Sequence, residues 1–533
     1  MELQRRSGIL LHPTSLPGTP GIGTIGQKAF DFVDWLEEGH QSLWQILPLG
    51  PTGYGDSPYA SFSTFAGNPL MIDLEDLVER GWADKNDIVP PDYISYQGNV
   101  DFGSVVWWKM PVLKNAAEYF LQHASDEDKE SYKEFLVHHG IWLENYSLFM
   151  SIKEFYDKKA QEEKIAGAMW STYWPKELAC HQEAALAQWL DTHGQEVEIQ
   201  KVIQFFFFTQ WHKLKSYANG KGISIVGDIP IFVAADSADV WANQALFQLD
   251  ENGRAKAVAG VPPDYFCSTG QLWGNPLYDW NAMEAQGYDW WITRIKATLE
   301  LVDYIRIDHF RGFEAYWAVP AGDKTAEYGQ WLPGPNHKLF QAIQNTLGDI
   351  PIIAEDLGVI TDEVRKLRDD FNLPGMKVLQ FAFDLKEAGG SGCVNAFLPH
   401  MYSPHCVVYT GTHDNDTMAG WLSKAAPEEL DLIGQYLDGP GSSCNKKDLC
   451  RRLVQLAISS TAKFAVIPLQ DIFGLGSEAR MNMPSTSDGK NWIWRMAENM
   501  TSQDVSQWLK QLSLLYGRNV EAFAGASEES SVD

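Results

Sequence analysis

Short apolar runs bounded by glycine, proline or acidic residues recur along the whole chain. In the clearest run, residues 302–307, successive side chains alternate between two faces, as they do in a β-strand. Eight such runs are predicted strands, and they cover residues 8–13, 43–49, 223–230, 302–308, 350–358, 377–381, 406–410 and 464–471. Apolar residues at helical spacing lie between several of them, as in residues 29–36 and 361–371. Eight strands that alternate with helices predict an α/β fold, the (β/α)8 TIM barrel.

The predicted strands are unevenly spaced, and we expect inserted subdomains, mainly helical, after the second and third strands. Between about residues 70 and 196 the strand pattern fades; the helices predicted there are 105–122, 128–138, 141–159 and 183–192. A second insertion, rich in Gly, Pro and aromatic residues, is predicted at 232–290. One barrel domain therefore covers residues 1–524. The tail, residues 525–533, is expected to be disordered, and no C-terminal β-sandwich is predicted.

Composition and charge exclude several classes of protein. The 533 residues include 42 Lys and Arg against 70 Asp and Glu, and the net charge of −28 disfavours binding to nucleic acid or anionic membranes. No apolar run reaches the roughly 18 residues of a transmembrane helix, and no signal peptide is visible at the start. The six cysteines lack C-x-x-C spacing, so we expect free thiols and no zinc motif.

Carboxylates stand at the ends of four predicted strands, as Asp228, Asp308, Glu355 and Asp414. The carboxyl ends of barrel strands meet at one mouth, so these four groups are expected to converge. Arg306 lies two residues before Asp308, on the same side of the strand, and its charge favours the ionised aspartate. For this stretch alone, the alternative is a structural Asp–Arg pair. Four converging carboxylates exceed what a structural role requires, because buried unpaired charges are costly.

Two carboxyl groups that flank a bond are the machinery of glycoside cleavage, with one acting as nucleophile or base and the other as proton donor. The Gly/Pro-rich loop 51–59 carries Tyr54, Asp56 and Tyr59 directly after the second predicted strand, and in a barrel it would face the same mouth. An ordinary surface turn is the alternative. The chain also has 21 Trp, 20 Tyr and 26 Phe, which suit either sugar stacking or a large core.

Region by region, the sequence resembles the 4-α-glucanotransferases of glycoside hydrolase family 77, in the α-amylase clan. The resemblance runs from near residue 8 to about residue 495 and is looser over 101–180. The segments that carry it occur in one order: Asp-Ser-Pro-Tyr, Gly-Asn-Pro, Arg-Ile-Asp-His-Phe-Arg and Gly-Ser-Glu-Ala-Arg-Met-Asn.

The resemblance implies roles for particular residues. Asp308 would be the catalytic nucleophile, Glu355 the general acid/base, and Asp414 the group that stabilises the transition state. The residues that would bind substrate along the cleft are Tyr59, Asp228, Tyr265, Phe266, Trp273, Asn275, Arg306, His413 and Asn482. Of these, Tyr265 and Phe266 resemble a loop that arches over the cleft, within the active-site lid segment 232–290. Neither a metal nor an organic cofactor is expected.

The resemblance also implies an activity and partners. The expected reaction moves α-1,4-glucan segments from a maltooligosaccharide, starch or glycogen donor to the 4-hydroxyl of glucose or another glucan, by retaining double displacement. An α-1,4-glucan hydrolase with the same carboxylates is the alternative within enzymes, and the lid-like loop 260–266 favours transfer. An inactive starch-binding protein is disfavoured because all three catalytic carboxylates are present. The expected location is the cytoplasm, or a plastid for a mature plant-type enzyme. The oligomeric state stays open.

Overall fold

The computed structural model describes residues 3–263, 268–385, 395–486 and 489–518. Its strands are β1 (Arg6–Leu10), β2 (Leu43–Gln45), β3 (Ser224–Pro230), β4 (Ala257–Val261), β5 (Gln271–Pro276), β6 (Tyr304–Asp308), β7 (Ala315–Pro320), β8 (Gln330–Pro333), β9 (Ile352–Ala354), β10 (Gly375–Val378), β11 (Cys406–Tyr409) and β12 (Phe464–Pro468).

Eight of these strands form a single sheet of parallel pairs, in the spatial order β10-β11-β12-β1-β2-β3-β6-β9. The sheet closes on itself because the backbone N–H of Ala354, in β9, donates a 2.9 Å hydrogen bond to the carbonyl of Pro374, next to β10. This closed ring is the predicted (β/α)8 barrel, and the fold prediction is confirmed. Each predicted strand overlaps an observed one. The sixth was predicted too far along the chain, because residues 379–383 form a helical turn instead.

Helices surround the barrel and fill the long connections between its strands. The α-helices are α1 (Gln27–Glu38), α2 (Leu74–Glu79), α3 (Phe102–His123), α4 (Asp126–Glu163), α5 (Trp170–Tyr173), α6 (Lys176–Ala179), α7 (Glu183–Gly220), α8 (Ala238–Ala242), α9 (Trp280–Ala285), α10 (Asp289–Leu301), α11 (His337–Leu347), α12 (Asp362–Asp370), α13 (Leu379–Phe383), α14 (Met418–Lys424), α15 (Pro427–Asp438), α16 (Leu449–Ser459), α17 (Leu469–Ile472) and α18 (Gln503–Leu515). Within the described ranges, none of them is both long and apolar enough to cross a membrane.

The connection between β2 and β3 consists largely of helices, as predicted. Its longest members, α4 and α7, pack against each other, and each is broken once. The break in α4 falls at Gly140, whose φ of 32° and ψ of −111° lie outside helical values. This break separates the two helices that were predicted at 128–138 and 141–159. The break in α7 falls at His193, directly after the helix that was predicted at 183–192.

A second sheet lies outside the barrel, and the sequence analysis did not predict it. It has four antiparallel strands in the order β5-β4-β7-β8, so two strands from the connection after β3 pair with two from the connection after β6. The insertion after β3 is thus helical only in part. Its strands are short, and β4 contains Gly260, which weakens any strand pattern in the sequence. Their stability comes from pairing with residues far along the chain.

The period of two along each barrel strand divides the core into two regions. One apolar cluster includes Leu10, Leu43, Val226, Ile353 and Val407, and it fills the barrel interior. The alternate residues belong to the cluster between the strands and the outer helices, among them Ile9, Trp44, Ile225, Ile305 and Val408. The inward positions near the carboxyl ends of the strands are polar, and there the barrel core gives way to a site.

Candidate active site

Four strand ends deliver the predicted carboxylates to one edge of the barrel. Asp228 lies in β3 and Asp308 ends β6, while Glu355 and Asp414 follow β9 and β11 directly or after a short loop. Because the strands of a barrel are parallel, their carboxyl ends share one mouth. Hydrogen bonds and ion pairs connect several of these groups to each other and to neighbouring side chains.

Arg306 joins two of the four carboxylates. Its Nη1 atom donates to both oxygens of Asp228, at 2.8 and 2.7 Å, and its Nη2 atom donates to Oδ1 of Asp308 at 2.9 Å. The exposed fractions of the side chains are 4% for Arg306, 0% for Asp228 and 30% for Asp308. The guanidinium is therefore buried behind Asp308, whose carboxylate faces the cleft. Burial raises the pKa of Asp228, and the Arg306 charge opposes that shift.

Glu355 occupies a different environment. Its Oε2 atom accepts a 2.8 Å hydrogen bond from the backbone N–H of His309, and its Oε1 atom accepts one of 2.8 Å from Leu357. Desolvation by burial and the negative charge of Asp308 raise the pKa of Glu355 to about 8, although Arg306 and the two backbone donors act in the opposite direction. A proton on Glu355 at neutral pH is what a general acid requires.

The backbone at His309 connects the two carboxyl groups. His309 follows Asp308 in the chain and has a φ of 54°, in the left-handed region. In this conformation its backbone N–H points to Glu355 and donates a hydrogen bond to it. Its imidazole packs edge-on against Trp273, with ring centroids 4.8 Å apart, and burial lowers the pKa of His309 to about 4. His309 thus packs its ring against Trp273 and donates its backbone N–H to Glu355.

Asp414 is held by a second group of predicted residues. Asn482 donates from Nδ2 to its Oδ1 at 2.6 Å, and His413 Nε2 lies 3.3 Å from the same oxygen. Tyr59 reaches this group from the loop after β2: its ring stacks on His413 at 4.9 Å, and its hydroxyl donates to Oδ2 of Asp228 at 2.9 Å. Tyr59 thus bridges the Asp414 side and the Arg306 side of the cleft.

The predicted residues of the lid segment fall into two groups. Trp273 and Asn275 lie in β5 of the second sheet. Trp273 is partly exposed and contacts His309, whereas the side chain of Asn275 donates to the carbonyl of Val233 at 2.9 Å. Tyr265 and Phe266 lie outside the described residues, so their expected position over the cleft stays a prediction.

Three side chains near the cleft were not singled out from the sequence. Arg480 donates to the backbone carbonyl of Asp414, and it lies within the Gly-Ser-Glu-Ala-Arg-Met-Asn segment, which could have indicated it. Trp492 packs near the rings of Tyr59 and His413, at 5.7 and 5.8 Å. Tyr409 donates to Gln45 at 2.8 Å inside the barrel. No local pattern indicates Trp492 or Tyr409, because their partners are distant in sequence.

The chain is similar to known proteins over nearly its whole length. The family profile described as 4-alpha-glucanotransferase matches residues 11–501. The 4-alpha-glucanotransferase of Thermus thermophilus is 48% identical over 99% of this chain and 100% of its own length. The chloroplastic/amyloplastic 4-alpha-glucanotransferase of Solanum tuberosum is 42% identical over 97% of this chain and 87% of its own.

A solved structure is also similar to nearly the whole chain. The amylomaltase from Streptococcus agalactiae in complex with acarbose superposes with a TM-score of 0.88 and 37% sequence identity, covering 97% of this chain and 100% of that chain. With the profile spanning most of the sequence and relatives matching along nearly their whole length, the chain belongs to the 4-alpha-glucanotransferase family, glycoside hydrolase family 77.

Proposed function

We propose that this enzyme transfers α-1,4-glucan segments by a retaining double displacement in which Asp308 is the nucleophile and Glu355 the acid/base. One observation carries the proposal. The Asp308 carboxylate is paired with Arg306, whereas the neighbouring Glu355 has a pKa raised to about 8. Two carboxyl groups in contrasting environments provide one anion and one proton donor.

In the first step, an oxygen of Asp308 attacks C1 of the donor sugar while Glu355 gives its proton to the departing 4-oxygen. A glycosyl ester on Asp308 and a shortened glucan result. In the second step, Glu355, now a carboxylate, takes the proton of an incoming sugar 4-hydroxyl as that oxygen attacks C1. Asp308 leaves as the carboxylate, and a new α-1,4 bond forms. The two steps together break one α-1,4 bond and form another, and Glu355 regains the proton that it gave. Arg306 lies next to the nucleophile in both steps.

The remaining predicted residues would bind the sugars. Asp414, held by Asn482 and His413, would accept hydrogen bonds from sugar hydroxyls as positive charge develops at C1. Tyr59 would stack under the reacting glucose, and Trp273, Asn275, Tyr265 and Phe266 would bind sugars along the cleft. Asp228 would be a supporting acid behind them, bonded to Arg306 and Tyr59. The Streptococcus agalactiae amylomaltase was solved in complex with acarbose, and this similarity supports a carbohydrate ligand for the present chain. Glucan donors, glucose as acceptor and a cytoplasmic location belong to the same proposal.

Transfer rather than hydrolysis requires that a bound sugar outcompete water. An oriented acceptor can have an effective molarity of about 10⁵ M or more, which suffices against water. We therefore expect maltotriose to yield glucose and a ladder of longer maltooligosaccharides, with little gain in reducing ends, because each transfer conserves the number of α-1,4 bonds. The measurement is chromatography of the products by length together with a reducing-end assay. Reducing ends that rise in step with maltotriose consumption would identify a hydrolase.

Substitution of the two carboxyl groups separates their roles. Asp308→Asn should lower kcat by orders of magnitude on every donor. Glu355→Gln should lower kcat on maltotriose by about 10²–10⁴-fold but spare an α-glucosyl fluoride donor, because fluoride leaves with little proton donation. Asp362→Asn is the matched control, since its side chain is 95% exposed on α12. Equal losses by Glu355→Gln on both donors would contradict its role as the acid.

The raised pKa of Glu355 predicts the basic limb of the pH profile. The acid must be protonated for the first step, so kcat/KM for maltotriose should fall as the pH rises through about 8. With the fluoride donor this fall should be weak, because the leaving group needs little proton donation. The check is the pH dependence of initial rates with both donors. A basic limb of the same shape and midpoint for both would assign that limb to another group.

A further inference from the structure

A group of histidine and glutamate side chains lies away from the barrel mouth, in the helical insertion. In the described part of the chain, His138 and His139 of α4 and Glu300 of α10 present ligand atoms that all lie within 4.8 Å of one another. The Nε2 atom of His138 is 3.1 Å from Oε2 of Glu300. Because Glu300 precedes β6 and Asp308 ends it, the group sits at the opposite end of that strand from the catalytic carboxylates.

The convergence of two consecutive histidines is unusual for a helix. Neighbouring residues on an α-helix do not normally face the same point. Here the rings of His138 and His139 have centroids 4.7 Å apart, directly before the helix break at Gly140. The His139 ring is fixed among aromatic side chains, with centroids 4.5 Å from Phe135 and 4.6 Å from Phe208. Its position is therefore set by packing and does not depend on contact with Glu300.

Glu300 is also held in a fixed position, by hydrogen bonds between the end of α10 and α7. Lys215 of α7 donates to the carbonyls of Leu299, Glu300 and Val302, at 3.2, 3.1 and 3.1 Å. Trp211 of the same helix donates to the carbonyl of Leu301 at 2.8 Å. The end of α10 is thus fastened to α7 on both sides of Glu300. Ligands on supports of this kind lose little conformational freedom when they bind an ion.

An ion can reach this group from solvent, because 60% of the His138 side chain and 29% of the Glu300 side chain are exposed.

We propose that His138, His139 and Glu300 form a binding site for Zn²⁺ that ties the helical insertion to the barrel, with water in the fourth position. Imidazole and carboxylate ligands suit zinc, at bond lengths of about 2.0–2.2 Å, and they do not suit Mg²⁺, which prefers oxygen ligands and bound water. The ion would join α4 and α10 immediately before β6. Its role would be structural, since the proposed reaction uses none of these residues.

Zinc binding to the full-length enzyme tests the proposal. Chelator-treated protein is dialysed against ZnCl2 and analysed for bound metal, with MgCl2 as a parallel probe. We expect one Zn²⁺ per chain and no Mg²⁺. Because the chain has six cysteines, Co²⁺ is used as a spectroscopic substitute: nitrogen and oxygen ligands give ligand-field bands without a sulfur-to-cobalt charge-transfer band. Zinc should also raise the Tm, as any ligand selective for the folded state does.

Substitutions connect the metal to these residues. His138→Ala and Glu300→Gln should each weaken zinc binding by about tenfold or more and remove the rise in Tm. His123→Ala is the matched control, because this exposed histidine contacts Tyr119 in its own helix and is not part of the group, and the variant should bind zinc as the wild type does. Transferase activity of each variant verifies folding. No bound zinc, zinc binding that survives both substitutions, or a sulfur charge-transfer band would each overturn the proposal and leave His138–Glu300 as an ion pair only.

Discussion

The active site depends on one buried guanidinium. Arg306 holds Asp228 and Asp308 at once, and both Arg306 and Asp228 are removed from water. Removing one partner from a buried ion pair costs about 3–5 kcal/mol, because the remaining charge stays desolvated. Here Asp308 pairs with the same guanidinium as Asp228, so two carboxylates together compensate the buried charge of Arg306. The arrangement leaves the Asp308 carboxylate bonded to Arg306 and partly exposed at the mouth, where the proposed nucleophile has to be.

The difference between the environments of Asp308 and Glu355 also depends on the position of Arg306. The Arg306 charge acts directly on Asp308 and Asp228, while Glu355 receives backbone N–H donors instead of a side-chain cation. The left-handed turn at His309 provides one of these donors, so the residue after the proposed nucleophile orients the proposed acid. Tyr59 then connects the Asp228 side of the cleft to the His413 and Asp414 side, by a hydrogen bond to Asp228 and by ring stacking on His413.

The sequence predicted those parts of the structure that local patterns specify. Alternating apolar residues located the barrel strands, and the spacing of Arg306 and Asp308 predicted their contact. The contact of Arg306 with Asp228 joins residues 78 positions apart, and no local pattern contains it. Asn482 was expected to bind substrate, through resemblance to a family, but its hydrogen bond to Asp414 was not predicted. The four-stranded sheet was missed because its strands are short and are stabilised by distant partners. The left-handed backbone of His309 was not predictable either, since histidine adopts it here only under tertiary constraint.

The most direct measurement on the proposed chemistry is to trap the glycosyl ester. Glu355→Gln, which retains the nucleophile but lacks the base for the second step, is mixed with an α-glucosyl fluoride and analysed by mass spectrometry of the intact protein and its peptides. A covalent intermediate predicts the added mass of one glucosyl group on the peptide that contains Asp308, and no added mass when Asp308→Asn is combined with Glu355→Gln. Fluoride release without any adduct, or an adduct on a different residue, would contradict a double displacement through Asp308.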